Sequence, residues 1–352
     1  MLPRERVKMA LNHVAPDRVP TDFWAVPELW ERLMEYLNVS TREEVMQHFE
    51  VDIRTIAPDY IGPGYKTLPD GTFYHEDGTH RRWVKNSVSQ YQEYASYPLA
   101  DCETVDEIVS YAHWPKVEDY DWAGFSDKIG DLHERYYIKV ELGGLFELSW
   151  GLRGIEQMMI DMYEYPEIFH ALMAQRTKFY IDFVHKAMEV AGDKIDAFYT
   201  YDDIAIQNSL LLNKNQWREF IRPYHVEMNA VIKQYGKDIV YHSCGAVVPM
   251  IDELAELPID VLNPLQPAAA GIDMQMIKDT WGDRLCFHGA VCIQRLLPHG
   301  TPEEVYDTVS KTIKILGKNG GYIMTSAHFM QNDTPNENVL AMYRAAKETV
   351  VE

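Results

Sequence analysis

The sequence predicts an α/β chain folded as a (β/α)8 TIM barrel, and three observations carry that prediction. Short apolar runs alternate with helical patterns from about residue 130 to the C-terminus. The runs are nearly continuous in apolar residues, as parallel strands covered on both faces must be. Each run also ends in polar side chains, which gathers the unusual chemistry on one face, where a barrel assembles its catalytic groups.

Taken in order, residues 18–24 and 51–57 are the first two strand candidates. Between residues 62 and 94 the pattern changes. Pro69-Asp70-Gly71 and Glu76-Asp77-Gly78 are hairpin-turn signals around Thr72-Phe73-Tyr74 and residues 80–84. They predict a β-meander inserted after the second strand, on the active-site rim. Residues 100–135, rich in Asp, Glu, Trp and Tyr, predict helices on the same rim. Six β-then-α units follow, with strands over 139–143, 195–202, 238–243, 259–266, 284–289 and 321–326. With the two earlier runs the strands number eight, as a barrel requires. No linker, repeat or low-complexity run interrupts the chain, so residues 1–352 read as one domain containing the 62–94 insertion.

The bulk composition narrows the function. Hydrophobic residues make up 46% of the 352 residues and aromatics 12%, enough for a sizeable core. Against 54 acids stand 33 basic residues, a formal net charge of −21. Such a surface repels nucleic acid and anionic membranes, and it disfavours substrates bearing many carboxylates. Four irregularly spaced cysteines do not form a disulfide framework, so a reduced, cytoplasmic setting is expected. The N-terminus begins an amphipathic helix without an apolar signal core, and no run approaches the roughly 18 apolar residues of a membrane span. A homodimer is the default expectation for assembly.

The most informative stretch is Asp238–Gly245, a short buried strand ending in His242-Ser243-Cys244. Side chains two apart on a strand share a face, so His242 and Cys244 form half of a zinc site. His328, at the end of another apolar strand, is the expected third ligand. Three protein ligands with an open fourth position describe a catalytic zinc. Other strand ends carry Glu141, then Tyr201-Asp202-Asp203 with Gln207, then Asn263 and Gln266. Asp202, Asp203 and Glu141 are the candidate catalytic groups. Helix capping is the plain alternative for Asp202, Asp203 and Asn263. Trp24, Tyr201, Gln207, Asn263 and Gln266 are expected to contact substrate, with Tyr60, Tyr65, Phe73 and Trp150 as further apolar walls. His288 reads as a satisfied core histidine, and Cys286 and Cys292 as core thiols. No dinucleotide, P-loop or serine-hydrolase motif stands in the right strand-to-helix context.

These residues resemble a known family. Asp202-Asp203 with Gln207, His242-Ser243-Cys244-Gly245, residues 260–266, Gly300-Thr301-Pro302-Glu303-Glu304 and Pro335-Asn336-Glu337-Asn338 are similar to the uroporphyrinogen decarboxylase superfamily, from about Pro3 to the end. The likeness is nearest to its cobalamin-dependent methyltransferase branch. The decarboxylases carry an arginine-rich N-terminal segment that grips substrate carboxylates, for which bidentate guanidinium groups are suited. Residues 21–30 here contain no arginine and two acids. The methyltransferase branch holds zinc with a His-x-Cys pair and a later Cys. His242 and Cys244 match the pair, and His328 stands where the later Cys is absent. A two-His, one-Cys set carries less negative charge, so the zinc would be the stronger Lewis acid. Glu141 is an additional candidate for its first or second shell, and Asp202 or Asp203 for handling the proton or orienting His242.

The resemblance thus implies a zinc-dependent methyltransferase. It would move a methyl group between a small O- or N-methylated compound, or a thiol, and a corrinoid held by a separate protein. A tetrapyrrole-type decarboxylase and a non-catalytic small-molecule-binding barrel are the alternatives.

Overall fold

The computed structural model describes residues 1–63, 67–86 and 90–351. In chain order the strands are β1 (Ile53–Thr55), β2 (Thr72–Tyr74), β3 (His80–Lys85), β4 (Gln90–Ser96), β5 (Tyr137–Gly144), β6 (Ala197–Tyr201), β7 (Asp238–His242), β8 (Val261–Leu265), β9 (Cys286–Val291) and β10 (Tyr322–Ser326). Seven of them form one parallel sheet in the order β1-β5-β6-β7-β8-β9-β10. Helices cross over between successive strands and cover the outside, and β8, β9 and β10 are buried along their whole length. This is the (β/α)8 barrel the apolar runs predict.

The eighth stave departs from expectation. Residues 18–24 form no ladder, only an isolated bridge from Thr21 to Met324. Pro20 has no N–H to donate, so regular pairing stops there. Closure is nevertheless complete at the backbone. The Asp22 N–H donates to the Met324 carbonyl at 3.1 Å, the Met324 N–H to that of Pro20 at 2.8 Å, and the Asp52 N–H to that of Thr21 at 3.0 Å. A side-chain clamp reinforces this seam. The fully buried Asp52 carboxylate accepts from Arg6 at 2.5 Å, Arg18 at 2.9 Å and the Thr21 N–H at 2.8 Å.

Inside the barrel the alternation of each strand sorts side chains by height. Ile53, Tyr137, Ala197, Val240, Val261, Cys286 and Ile323 form a compact apolar layer. Two residues further along their strands come Lys139, Tyr199, His242, Asn263 and His288, and these define the polar floor of the site.

β2, β3 and β4 form the predicted antiparallel meander, with a third strand and an end at Ser96 rather than residue 94. It docks through Arg176, which donates to the Asp77 carbonyl at 2.9 Å, and through Tyr111, which donates to that of Gly78 at 2.8 Å. Gly78 has φ +84°, which the turn requires. The helices of 100–135 are not gathered on the rim. Trp122–Ile129 lies against the long helix Pro166–Ala191, with Trp122 and Phe183 ring centroids 4.8 Å apart. The chain must return from the C-terminal end of β1 to the start of β5, so these helices run along the outer wall.

Because the seam has so few ladder bonds, its clamp should be sensitive. Asp52→Ala is expected to lower unfolding free energy by about 3 kcal/mol, since it leaves buried guanidinium charge unpaired. Asp17→Ala removes a half-exposed partner of the same Arg6 and should cost less than about 1 kcal/mol. Denaturant midpoints of the two variants check this; equal effects would remove the clamp from the seam.

Candidate metal centre

β7 delivers His242 at its last position, and Cys244 follows two residues on. Gly245 then turns the chain with φ +90°, where a Cβ would lie 2.6 Å from the Ile206 carbonyl oxygen. His328 comes from the loop after β10. One ligand atom from each of His242, Cys244 and His328 lies within 4.8 Å of the others, and Cys244 Sγ is 3.4 Å from His242 Nε2.

A chain of buried hydrogen bonds sets the histidine orientation. His242 Nδ1–H donates to Asn263 Oδ1 at 2.5 Å, and Asn263 Nδ2 donates to His288 Nδ1 at 2.5 Å. His288 Nε2–H then donates to Asp22 at 3.1 Å. The tautomers follow from this network, because the ionised Asp22 can only accept. Asp22 also accepts from Lys139 at 2.6 Å and Trp24 Nε1–H at 2.9 Å. The outcome is a His242 whose Nε2 lone pair points toward Cys244.

Electrostatics favour neutral donors. Burial lowers His242 to about 4, helped by the nearby His288 and Lys139. Burial and the neighbouring His242 lower His328 to about 4 as well. Burial pushes the Cys244 thiol up, and Asp203 and Glu147 push it further. Two neutral imidazoles and a thiol fit a borderline cation, which would convert the thiol to thiolate on binding. Asp203 accepts the Cys244 N–H at 2.7 Å and sits 3.6 Å from His242 Nε2. Burial raises Asp203 and Glu141, while burial with the charges of Asp203 and Asp202 raises Glu147 to about 8.

Two cavities meet at this cluster. One, of about 310 Å³, is walled by Trp24, Glu141, Glu147, Tyr199, Tyr201 and Phe329, with Lys139 below. The other, of about 370 Å³, is walled by Gln207, Cys244, Gln266, Cys292 and Ile293. Asp203 and His328 face both.

The structure therefore brings His242, Cys244, His328, Asp203, Glu141, Trp24 and Tyr201 together and separates other expected residues from them. Asp202 is fully buried behind the cavity, where it accepts from His225 at 2.5 Å and from the Glu147 N–H at 2.7 Å. It pins a helix start, and the orienting role falls to Asn263. Asn263 is itself fully buried, so it touches the two histidines and not a substrate. Gln207 and Gln266 line the second cavity, and Gln266 accepts the Gly245 N–H at 2.8 Å. Tyr60, Phe73 and Trp150 stand on neither wall; they pack against Tyr120, Trp83 and Phe146. Tyr65 falls outside the described residues. Cys286 is a core thiol as expected, but Cys292 faces the second cavity.

Sequence reasoning missed Lys139, Glu147 and Phe329. Lys139 was detectable, because it alternates with Glu141 on an otherwise apolar strand. Glu147 carried a weaker signal, as an acid in the first turn of Phe146–Arg153.

The family model described as uroporphyrinogen decarboxylase (URO-D) matches residues 132–349. Among curated proteins, a methylated-thiol–coenzyme M methyltransferase of Methanosarcina mazei is 26% identical over 210 residues, covering 58% of this chain and 52% of the relative. A uroporphyrinogen decarboxylase of Pelodictyon phaeoclathratiforme is 23% identical over 194 residues, covering 53% and 51%. The chain spans about half the length of these curated relatives. A solved methyltransferase from Methanosarcina mazei superposes with a TM-score of 0.70 at 15% identity, over 99% of both chains. That likeness shows the shared barrel. The family match runs from just before β5 through the last helix, taking in His242, Cys244 and His328, and this protein belongs to the uroporphyrinogen decarboxylase (URO-D) family.

Proposed function

We propose that this protein is a zinc-dependent methyltransferase. It moves a methyl group between a small methylated compound, or a thiol, and a corrinoid carried by a separate protein. The observation that carries the reading is the convergence of His242, Cys244 and His328 beside an open cavity. The printed activity of the Methanosarcina mazei relative supports it.

His242 Nε2, Cys244 Sγ and a His328 nitrogen would hold the ion, leaving one position facing the cavities. When bound, zinc supplies Lewis acidity toward a substrate oxygen, nitrogen or sulfur. The chain's own residues do the rest. Asn263 keeps the His242 Nδ1 proton in place, so Nε2 stays a donor. Asp203, whose Oδ1 accepts the Cys244 backbone N–H and lies 3.6 Å from His242 Nε2, would take the proton released at Cys244 or at an incoming thiol. Trp24, Tyr199 and Phe329 exclude water from the adjoining wall.

The decarboxylase alternative needs cations for a polycarboxylate substrate. Among the described residues, the cavity wall offers Glu141, Glu147 and Asp203 against one amine, Lys139, already neutralised by Asp22. Such a wall repels that substrate. No helix among the described residues is long and apolar enough to cross a membrane.

Elemental analysis tests the proposal. Wild-type protein should contain about one zinc per chain, and His242→Ala and His328→Ala should lose it while keeping the wild-type circular dichroism. A folded wild type that stays metal-free after incubation with zinc would sink the methyltransferase reading in favour of the decarboxylase or binding-barrel alternatives. Asn263→Ala should weaken zinc binding by about 10- to 100-fold in a chelator competition. Unchanged affinity in a folded variant would show that Asn263 does not orient the ligand.

A further inference from the structure

We propose that the 310 Å³ cavity beside His242 and His328 is built for a methylated ammonium cation. The inference rests on the reading that this cavity takes the methyl-bearing molecule, and it names the chemical class of that molecule.

The argument begins with charge. Glu141, Glu147 and Asp203 face one small space. Glu141 has no hydrogen bond or ion pair among the described residues, and Glu147 accepts from the Asp203 N–H. The nearby cations are already committed. Lys139 pairs with Asp22 at 2.6 Å, and Arg81, on the meander, pairs with Asp77. The cavity therefore gathers three carboxyl groups that no uncommitted cation among the described residues offsets, a crowding that a cationic occupant would relieve.

The walls supply the second half of the argument. Trp24, Tyr199, Tyr201 and Phe329 surround the same space, and Phe329 stands 43% exposed at its mouth. Ring faces attract cations whose charge is spread over methyl groups, because such cations are weakly hydrated. The rings of Trp24 and Tyr199 already hold one cation from below, with Lys139 Nζ 4.9 Å and 5.3 Å from their centroids. The occupant's cation approaches from the mouth side, between Phe329 and the carboxylates. A neutral ether would gain nothing from Glu141, and an anion would be disfavoured by the three carboxyl groups. The cavity volume suits a small molecule with one such headgroup.

Calorimetric titration with choline and its neutral isostere 3,3-dimethylbutan-1-ol tests this on the full chain, both zinc-loaded and chelator-stripped. Choline is expected to bind about tenfold tighter in both forms, because Glu141 and the rings provide the selectivity. Glu141→Gln and Phe329→Ala should each weaken choline by about fivefold and leave the isostere unchanged. Equal affinity for the two ligands, no choline binding, or variants that weaken both ligands alike would overturn the inference. The metal reading fails separately. Choline preference in a chain that takes up no zinc supports the cation cavity and removes the zinc. Zinc uptake without choline preference overturns the cation cavity and leaves the zinc standing.

Discussion

The interior of this barrel depends on the buried carboxylate of Asp22. It sits on the irregular stave that closes the ring, and it accepts from Lys139, His288, Trp24 and the Phe23 N–H. Burial alone would drive it neutral, but the Lys139 ammonium and His288 hold it ionised, well below the usual carboxylate range. An isolated charge in this position would be intolerable, and so would an isolated Lys139. Their pairing lets a barrel floor carry both. Everything above inherits its geometry. Asp22 fixes His288, His288 fixes Asn263, and Asn263 fixes His242. The same carboxylate holds the Trp24 indole, whose ring stacks 6.2 Å from His242. Closing the fold and aiming the His242 imidazole are one network.

The outline of the fold was legible because parallel strands covered on both faces leave an unmistakable trace, a short apolar run before each helical pattern. The meeting of His242, Cys244 and His328 was legible for a related reason. A polar pair at the end of such a run has few roles beyond the one face where strand ends converge. What escaped the sequence lies across the barrel. Lys139 and Asp22 are separated by 117 residues, and nothing in the local pattern of either segment names the other. Asn263 looked like a substrate contact because only the folded chain shows His242 and His288 on its two sides. Asp202 and Asp203 are adjacent, yet one turns outward to His225 while the other faces the cavities, as alternation along an extended chain demands. The closing stave was overread as a strand. Its apolar pattern is real, but Pro20 withholds the donor a ladder needs.

If His328 serves where the family resemblance leads one to expect a second thiolate, the charge carried by the proposed ligands changes. With one cysteine in place of two, a divalent cation here would be less fully neutralised by its own donors. The surrounding wall supplies the difference. Asp203 lies 3.6 Å from His242 Nε2, with Glu147 and Glu141 on the same cavity. Charge that ligands would hold tightly is thereby moved to groups that can also meet a substrate or a proton. A thiolate pair commits its charge to the metal; carboxylates one layer out leave it available to whatever enters. In that arrangement the identity of the third ligand and the acidity of the cavity are not independent features. The same wall, through Asp203 and His328, also faces the second cavity, so a molecule arriving there meets the ligand cluster from the opposite side. Two approaches to one cluster, separated by a shared carboxylate and a shared imidazole, would suit the proposed transfer between two partners better than a single-substrate decarboxylation.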